Sequence, residues 1–216
     1  MKKFEHELAN LKQRVVDMGE LAQSMVAGAS RALFNAELDC IQQVRESEPK
    51  LDRFQVDVDR EAIRLITIYS PMAKDLRGLL MIARINSDFE RIGDHAVDNC
   101  EYVELLQSTP LSPPLHDLSP MSALTLQMVR DALQAFQQED VERAQAVIRL
   151  DDQVDAMNAA TFRNLLQHTG LDPSMVTRCM GLILIARSLE RIADHATNIC
   201  EEVFYLVEGE DIRHQR

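Results

Sequence analysis

The chain has 216 residues, 46% of them hydrophobic, enough to bury one large core or two smaller ones, and length alone does not choose between them. Only seven Gly and seven Pro occur, and Leu, Ala, Glu, Gln, Arg and Met fill long uninterrupted stretches, a composition that favours helices and disfavours sheets. A formal net charge of −12 and a pI near 4.9 oppose nonspecific nucleic-acid binding, which leaves protein or metal partners as the better expectation.

In chain order, periodicity and punctuation predict helices over roughly 4–35, 38–69 and 72–107, then 121–137, 140–168 and 174–208. The start, Met1-Lys2-Lys3-Phe4, carries basic residues with no apolar run behind them, so no signal peptide is expected. Glu37 or Asp39 opens the second helix and Asp140 the fifth, while Tyr69-Ser70-Pro71 and Thr169-Gly170-Leu171-Asp172-Pro173 stop the second and fifth. Ser108 to Pro120 holds Pro110, Pro113, Pro114 and Pro120, cannot be helical throughout, and reads as a linker. The longest strongly apolar run, Cys179 to Ala186, lies between Arg178 and Arg187 and is too short to span a bilayer. Cys40, Cys100, Cys179 and Cys200 form no CxxC pair, so reduced cytoplasmic thiols are expected.

The halves on either side of the linker repeat. Glu90-Arg91-Ile92-Gly93-Asp94-His95-Ala96 matches Glu190-Arg191-Ile192-Ala193-Asp194-His195-Ala196, and Cys100-Glu101 matches Cys200-Glu201, one hundred residues on. Upstream the spacing is 103, pairing Met25-Val26, Ala29, Ala32, Val44 and Asp52 with Met128-Val129, Ala132, Ala135, Val147 and Asp155. In the third helix Ile82, Ile85, Phe89, Ile92, Ala96 and Val103 make an apolar stripe, repeated by Leu182, Ile185, Leu189, Ile192, Ala196 and Val203. The expected fold is all-α: two tandem three-helix, up-down antiparallel bundles at 1–107 and 121–208, joined by a linker at 108–120 and followed by a tail at 209–216.

Glu90 and Asp94 are four residues apart and share a helix face, as do Glu190 and Asp194. Two like charges at this spacing repel by roughly a few tenths of a kcal/mol, which Arg91 and Arg191 could relieve. Joined by Asp52 or Asp59 and by Asp155 from the second helix of each half, these acids could ligate a hard cation through oxygen. The competing reading is a solvated acidic face, and the residues alone favour it. His95 and His195 follow the acids. Glu90 to His95 spans five residues instead of the Glu-x-x-His of di-iron bundles, so each histidine is expected to be partly buried and bonded to a neighbouring carboxylate. Met25, Met81, Met128 and Met180 are expected in the core. No Gly-rich phosphate loop, nucleophile elbow or HExxH occurs, so catalysis lacks positive support.

Pro71-Met72-Ala73-Lys74-Asp75-Leu76-Arg77, the two E-R-I-x-D-H-A segments and the stretch Thr197-Asn198-Ile199-Cys200-Glu201 resemble the PhoU family over the whole chain. The resemblance implies a cytoplasmic, non-enzymatic negative regulator of the phosphate-starvation regulon and of phosphate uptake. It implies contact with the ATP-binding subunit of a phosphate ABC transporter and with a sensor histidine kinase, peripheral membrane association through those partners, and a homodimer. Some relatives carry metal clusters at the E(D)xxxD motifs, which implies Fe, Mn, Mg or Zn at Glu90, Asp94, Glu190 and Asp194, with Asp52, Asp59 and Asp155 alongside. Gln55 stands where the family often has an acid, which argues against a full cluster in the first half. The alternatives are a carboxylate-bridged metal protein or enzyme, and a histidine phosphotransfer domain using His95 or His195.

Overall fold

The computed structural model describes residues 2–107, 116–171 and 175–212. Six helices fill them, α1 Lys2–Asn35, α2 Asp39–Tyr69, α3 Lys74–Gln107, α4 Ser119–Gln138, α5 Val141–Leu171 and α6 Val176–Glu208, and no strand occurs among the described residues. All six predicted helices are present. Most of the predicted linker and the Asp172-Pro173 turn lie outside the described residues.

Helix ends follow local chemistry. At the end of α2, Ser70 takes a left-handed φ of 44° and its N–H returns to the Ile66 carbonyl, after which Pro71 prevents continuation. Glu139 ends α4 in the same way with φ 54°, and the Arg143 N–H then donates to Asp140 Oδ1 at 3.0 Å, so Asp140 caps α5. Glu37 does not cap α2; its carboxylate accepts from Asn35 and pairs with Arg31. Pro49 lies inside α2, where it removes one backbone donor without ending the helix, so tertiary packing overrides propensity there.

Within each half, three helices pack on one another. Among the described residues α2 touches only α1 and α3, and α5 touches only α4 and α6, while α3 meets α6 and α1 meets α4. Both inter-repeat contacts are antiparallel: Arg84 pairs with Glu202 and Asp88 with His195 across α3 and α6, and Lys12 pairs with Glu139 and Ser30 with Ser122 across α1 and α4. The halves are therefore related by a pseudo-two-fold.

The core follows the predicted stripes, with Ile82, Ile85, Phe89, Ile92, Ala96 and Val103 buried on α3 and all but Leu182 of their counterparts buried on α6. Met25, Met81 and Met128 are buried, but Met180 is 46% exposed, because it falls on the outward arc of α6 instead of the stripe. Size is matched across the repeat at two places. Gly19 leaves room for Leu133, since a Cβ on it would meet Leu133 Cδ1 at 2.6 Å, and the corresponding pair in the other half is Ser122 against Ser30. A Cβ on Gly93 would meet Leu51 Cδ2 at 2.0 Å, whereas the matching positions hold Ala193 and the smaller Val154, both buried.

Candidate functional site

Each repeat brings three carboxylates together where its second helix crosses its third. In the first, oxygen atoms of Asp52 on α2 and of Glu90 and Asp94 on α3 all lie within 4.8 Å of one another. In the second, the same holds for Asp151 and Asp155 on α5 and Asp194 on α6. Helical spacing explains the pairs: Glu90 and Asp94, and Asp151 and Asp155, are each one turn apart and face the neighbouring helix together.

Of the acids singled out in the sequence, Asp52, Glu90, Asp94, Asp155 and Asp194 converge in this way, while Asp59 and Glu190 do not. Asp59 sits seven residues further along α2 than Asp52, about 10.5 Å of helix rise, and accepts a hydrogen bond from the buried Asn86 at 3.1 Å. Glu190 contributes charge near Asp155 and Asp194 without joining the close set. Sequence reasoning missed Asp151. The signal was present, because Asp151-Asp155 repeats Glu48-Asp52 at the spacing of 103 and each pair is one turn apart.

The electrostatics of the two clusters agree. Burial, then the neighbouring Asp94, pushes the Glu90 carboxyl above its ordinary range, and burial with Asp52 does the same to Asp94 against the opposing pull of Arg91. In the second cluster burial and Asp151 raise both Asp155 and Asp194. Glu48, raised by burial and by Asp52 and Asp94, extends the first cluster along α2. Arg91 Nη1 lies 3.4 Å from Asp94 and Arg191 Nη1 lies 3.1 Å from Asp194. Both arginine side chains are at least half exposed, so these pairs relieve only part of the repulsion.

The donor set suits a hard divalent cation, since it offers only oxygen, from two helices, at separations compatible with metal–oxygen bonds of about 2.0–2.5 Å. One atom in particular fits. Glu90 Oε2 is buried and accepts no hydrogen bond, its nearest cation being Arg91 Nε at 3.5 Å. Gln55 supplies its backbone carbonyl to Asn86 and no carboxylate to the cluster.

Between the clusters lie the histidines, each bonded to a carboxylate as expected: His95 Nδ1 to Asp98 at 3.1 Å, and His195 Nδ1 to Asp88 of the other repeat at 2.9 Å. The four cysteines are buried and free. Burial pushes the Cys100 thiol up to about 12 and raises Cys179 and Cys200, so these sulfurs make poor thiolate ligands.

A family model described as the PhoU domain matches residues 15–103 and 118–203. A phosphate-specific transport system accessory protein PhoU homolog from Aquifex aeolicus is 38% identical over 215 residues, covering 100% of this chain and 97% of that protein. The crystal structure of PhoU from Pseudomonas aeruginosa superposes with a TM-score of 0.92 at 33% identity, covering 96% of this chain and 100% of that one. That of the phosphate transport system regulatory protein PhoU from Streptococcus pneumoniae gives a TM-score of 0.86 at 28% identity, over 96% and 98%.

Proposed function

Because the chain belongs to the PhoU family, we propose that it is a cytoplasmic negative regulator of phosphate uptake and of the phosphate-starvation regulon. In this reading it is an adaptor between the ATP-binding subunit of a phosphate ABC transporter and a sensor histidine kinase. The supporting observation is end-to-end similarity, through both repeats, to proteins named as accessory or regulatory components of phosphate transport. The protein works by binding, as a homodimer, and not by catalysis. It reaches the membrane through its partners, and among the described residues no helix is long and apolar enough to cross one.

An adaptor shifts a partner's equilibrium only by binding one state better than another. The proposal therefore places phosphate sensing in the transporter, whose conformational state the adaptor reads. Affinity purification of the full chain from phosphate-replete cells is expected to recover the transporter's ATP-binding subunit. Recovery that fails under these conditions refutes the adaptor role.

A second reading is supported by the orphaned Glu90 Oε2 and the convergence of three acids in each repeat. In it, Asp52, Glu90 and Asp94, and separately Asp151, Asp155 and Asp194 with Glu190 nearby, hold cations such as Fe, Mn, Mg or Zn. A bound cation would supply positive charge that cancels the carboxylate repulsion. With a cation bound, these residues would hold α2 against α3 and α5 against α6, stiffening each bundle for its partner.

A further inference from the structure

Both halves place acids at the same four positions of their second and third helices. Glu48, Asp52, Glu90 and Asp94 in the first correspond to Asp151, Asp155, Glu190 and Asp194 in the second. Each half nevertheless leaves a different one of the four outside its close set. In the first, Asp52, Glu90 and Asp94 converge and Glu48 stays apart, whereas in the second Asp151, Asp155 and Asp194 converge and Glu190 stays apart. Duplication alone therefore does not decide which acids meet.

One side chain distinguishes the halves at this point. Thr197 lies three residues beyond Asp194, close to one turn of α6, and donates its hydroxyl to Asp151 Oδ1 at 3.2 Å. Thr197 and Asp151 are only 4% and 5% exposed, so water competes little for this bond. The residue matching Thr197 is Val97, which has the same branched shape but a methyl group in place of the hydroxyl, and can offer Glu48 no hydrogen bond. The arginine contacts, Arg91 to Asp94 and Arg191 to Asp194, are the same in both halves and cannot make the difference. A carboxylate that accepts one hydrogen bond still has lone pairs for an ion. When a ligating carboxylate is fixed in this way before the ion arrives, binding is spared the cost of ordering it. In the first half the converging acids are exposed or half-buried, and none has a buried hydroxyl behind it.

We propose, on the cation reading of the two clusters, that Thr197 is a positioning residue that commits Asp151 to the oxygen site of the second repeat. The chain then carries two unequal sites, and the one between α5 and α6 binds a hard divalent ion such as Mn2+ more tightly than the one between α2 and α3. Nothing in this depends on the transporter reading.

Titration of the metal-free full chain with Mn2+, followed by the electron paramagnetic resonance signal of the free ion, tests it. The native chain is expected to show two classes of site with dissociation constants about tenfold apart. Asp52→Asn with Asp94→Asn removes the weaker site, and Asp155→Asn with Asp194→Asn the tighter one. In the protein that keeps only the second site, Thr197→Val is expected to weaken Mn2+ binding about tenfold, while Thr197→Ser, which keeps a hydroxyl, stays within about twofold of its parent. A threonine that only supports the fold would instead change the melting of the metal-free chain and leave the Mn2+ affinity where it was. If circular dichroism shows Thr197→Val unfolded, the reverse exchange decides: Val97→Thr with Glu48→Asp, in the protein that keeps only the first site, is expected to bind Mn2+ about tenfold more tightly. A native chain that takes up no Mn2+ overturns the cation reading and this inference together. Uptake by the native chain with equal affinities at the two sites, a Thr197→Val protein that binds like its parent, equal losses in the Val and Ser variants, or no gain from the reverse exchange overturns the inference alone.

Discussion

Replacing Gly93 by Ala and Leu51 by Val together is expected to leave the protein more stable than either single change predicts, with a favourable coupling of about 1–2 kcal/mol. A Cβ on Gly93 would reach 2.0 Å from Leu51 Cδ2 inside a core where Leu51 is 1% exposed, so Gly93→Ala alone forces a repacking that costs about 1–3 kcal/mol. Helix propensity returns about 1 kcal/mol of that, because Ala replaces Gly within α3. Leu51→Val alone removes one methylene from a filled site and costs about 1 kcal/mol. Made together, the changes conserve volume and copy the residues that the second half already uses, Val154 and Ala193. Urea denaturation of the four proteins in the cycle measures the coupling, and additivity within about 0.3 kcal/mol would show that the two positions do not share a packing site.

Asp155→Asn is expected to act with opposite signs in the presence and absence of a divalent cation. Burial, Asp151, Glu190 and Asp194 all raise the Asp155 carboxyl, so in metal-free protein its charge opposes folding and its removal stabilises, by roughly 1 kcal/mol or less for so exposed a group. With Mn2+ at a hundredfold excess over its dissociation constant, the native chain gains about 2.7 kcal/mol from binding, and the variant loses most of that gain. The pH dependence follows the same logic. Glu90, Asp94, Asp155 and Asp194 bind protons more readily folded than unfolded, so their contribution to stability rises as pH falls from neutral through their folded values, and levels off below their unfolded ones. Glu7, Glu61 and Glu104, lowered by Arg64 or Arg45, act in the opposite direction and lose stabilisation as the solution is acidified. Thermal unfolding with and without Mn2+ checks the prediction, and a variant that is destabilised in both conditions would make Asp155 an ordinary surface acid.

Most of the fold was legible because helices leave their period in the chain. Ile82, Ile85, Phe89 and Ile92 mark one face of α3 whatever surrounds it, and Pro71 and Asp140 mark where neighbours begin. The candidate site was only half legible. Spacing on one helix gives the angular position of a residue, so Glu90 and Asp94 could be paired at once, but Asp52 and Asp59 are seven residues apart and point in nearly the same direction. Which of them meets Glu90 depends on how far α2 slides along α3, a tertiary quantity set by the α2–α3 turn and by the packing of Leu51 on Gly93. The seam between the repeats was least visible. Asp98 lies one turn from His95 on α3 and is within reach of it by spacing alone, whereas Asp88 meets His195 only where α3 and α6 cross.

The regulatory role is tested most directly by deleting the gene and following a reporter under phosphate-starvation control in phosphate-rich medium. Full reporter activity despite abundant phosphate, silenced again when the intact chain is restored, is the predicted result. A reporter that stays silent without this protein and still responds normally to phosphate withdrawal would contradict it.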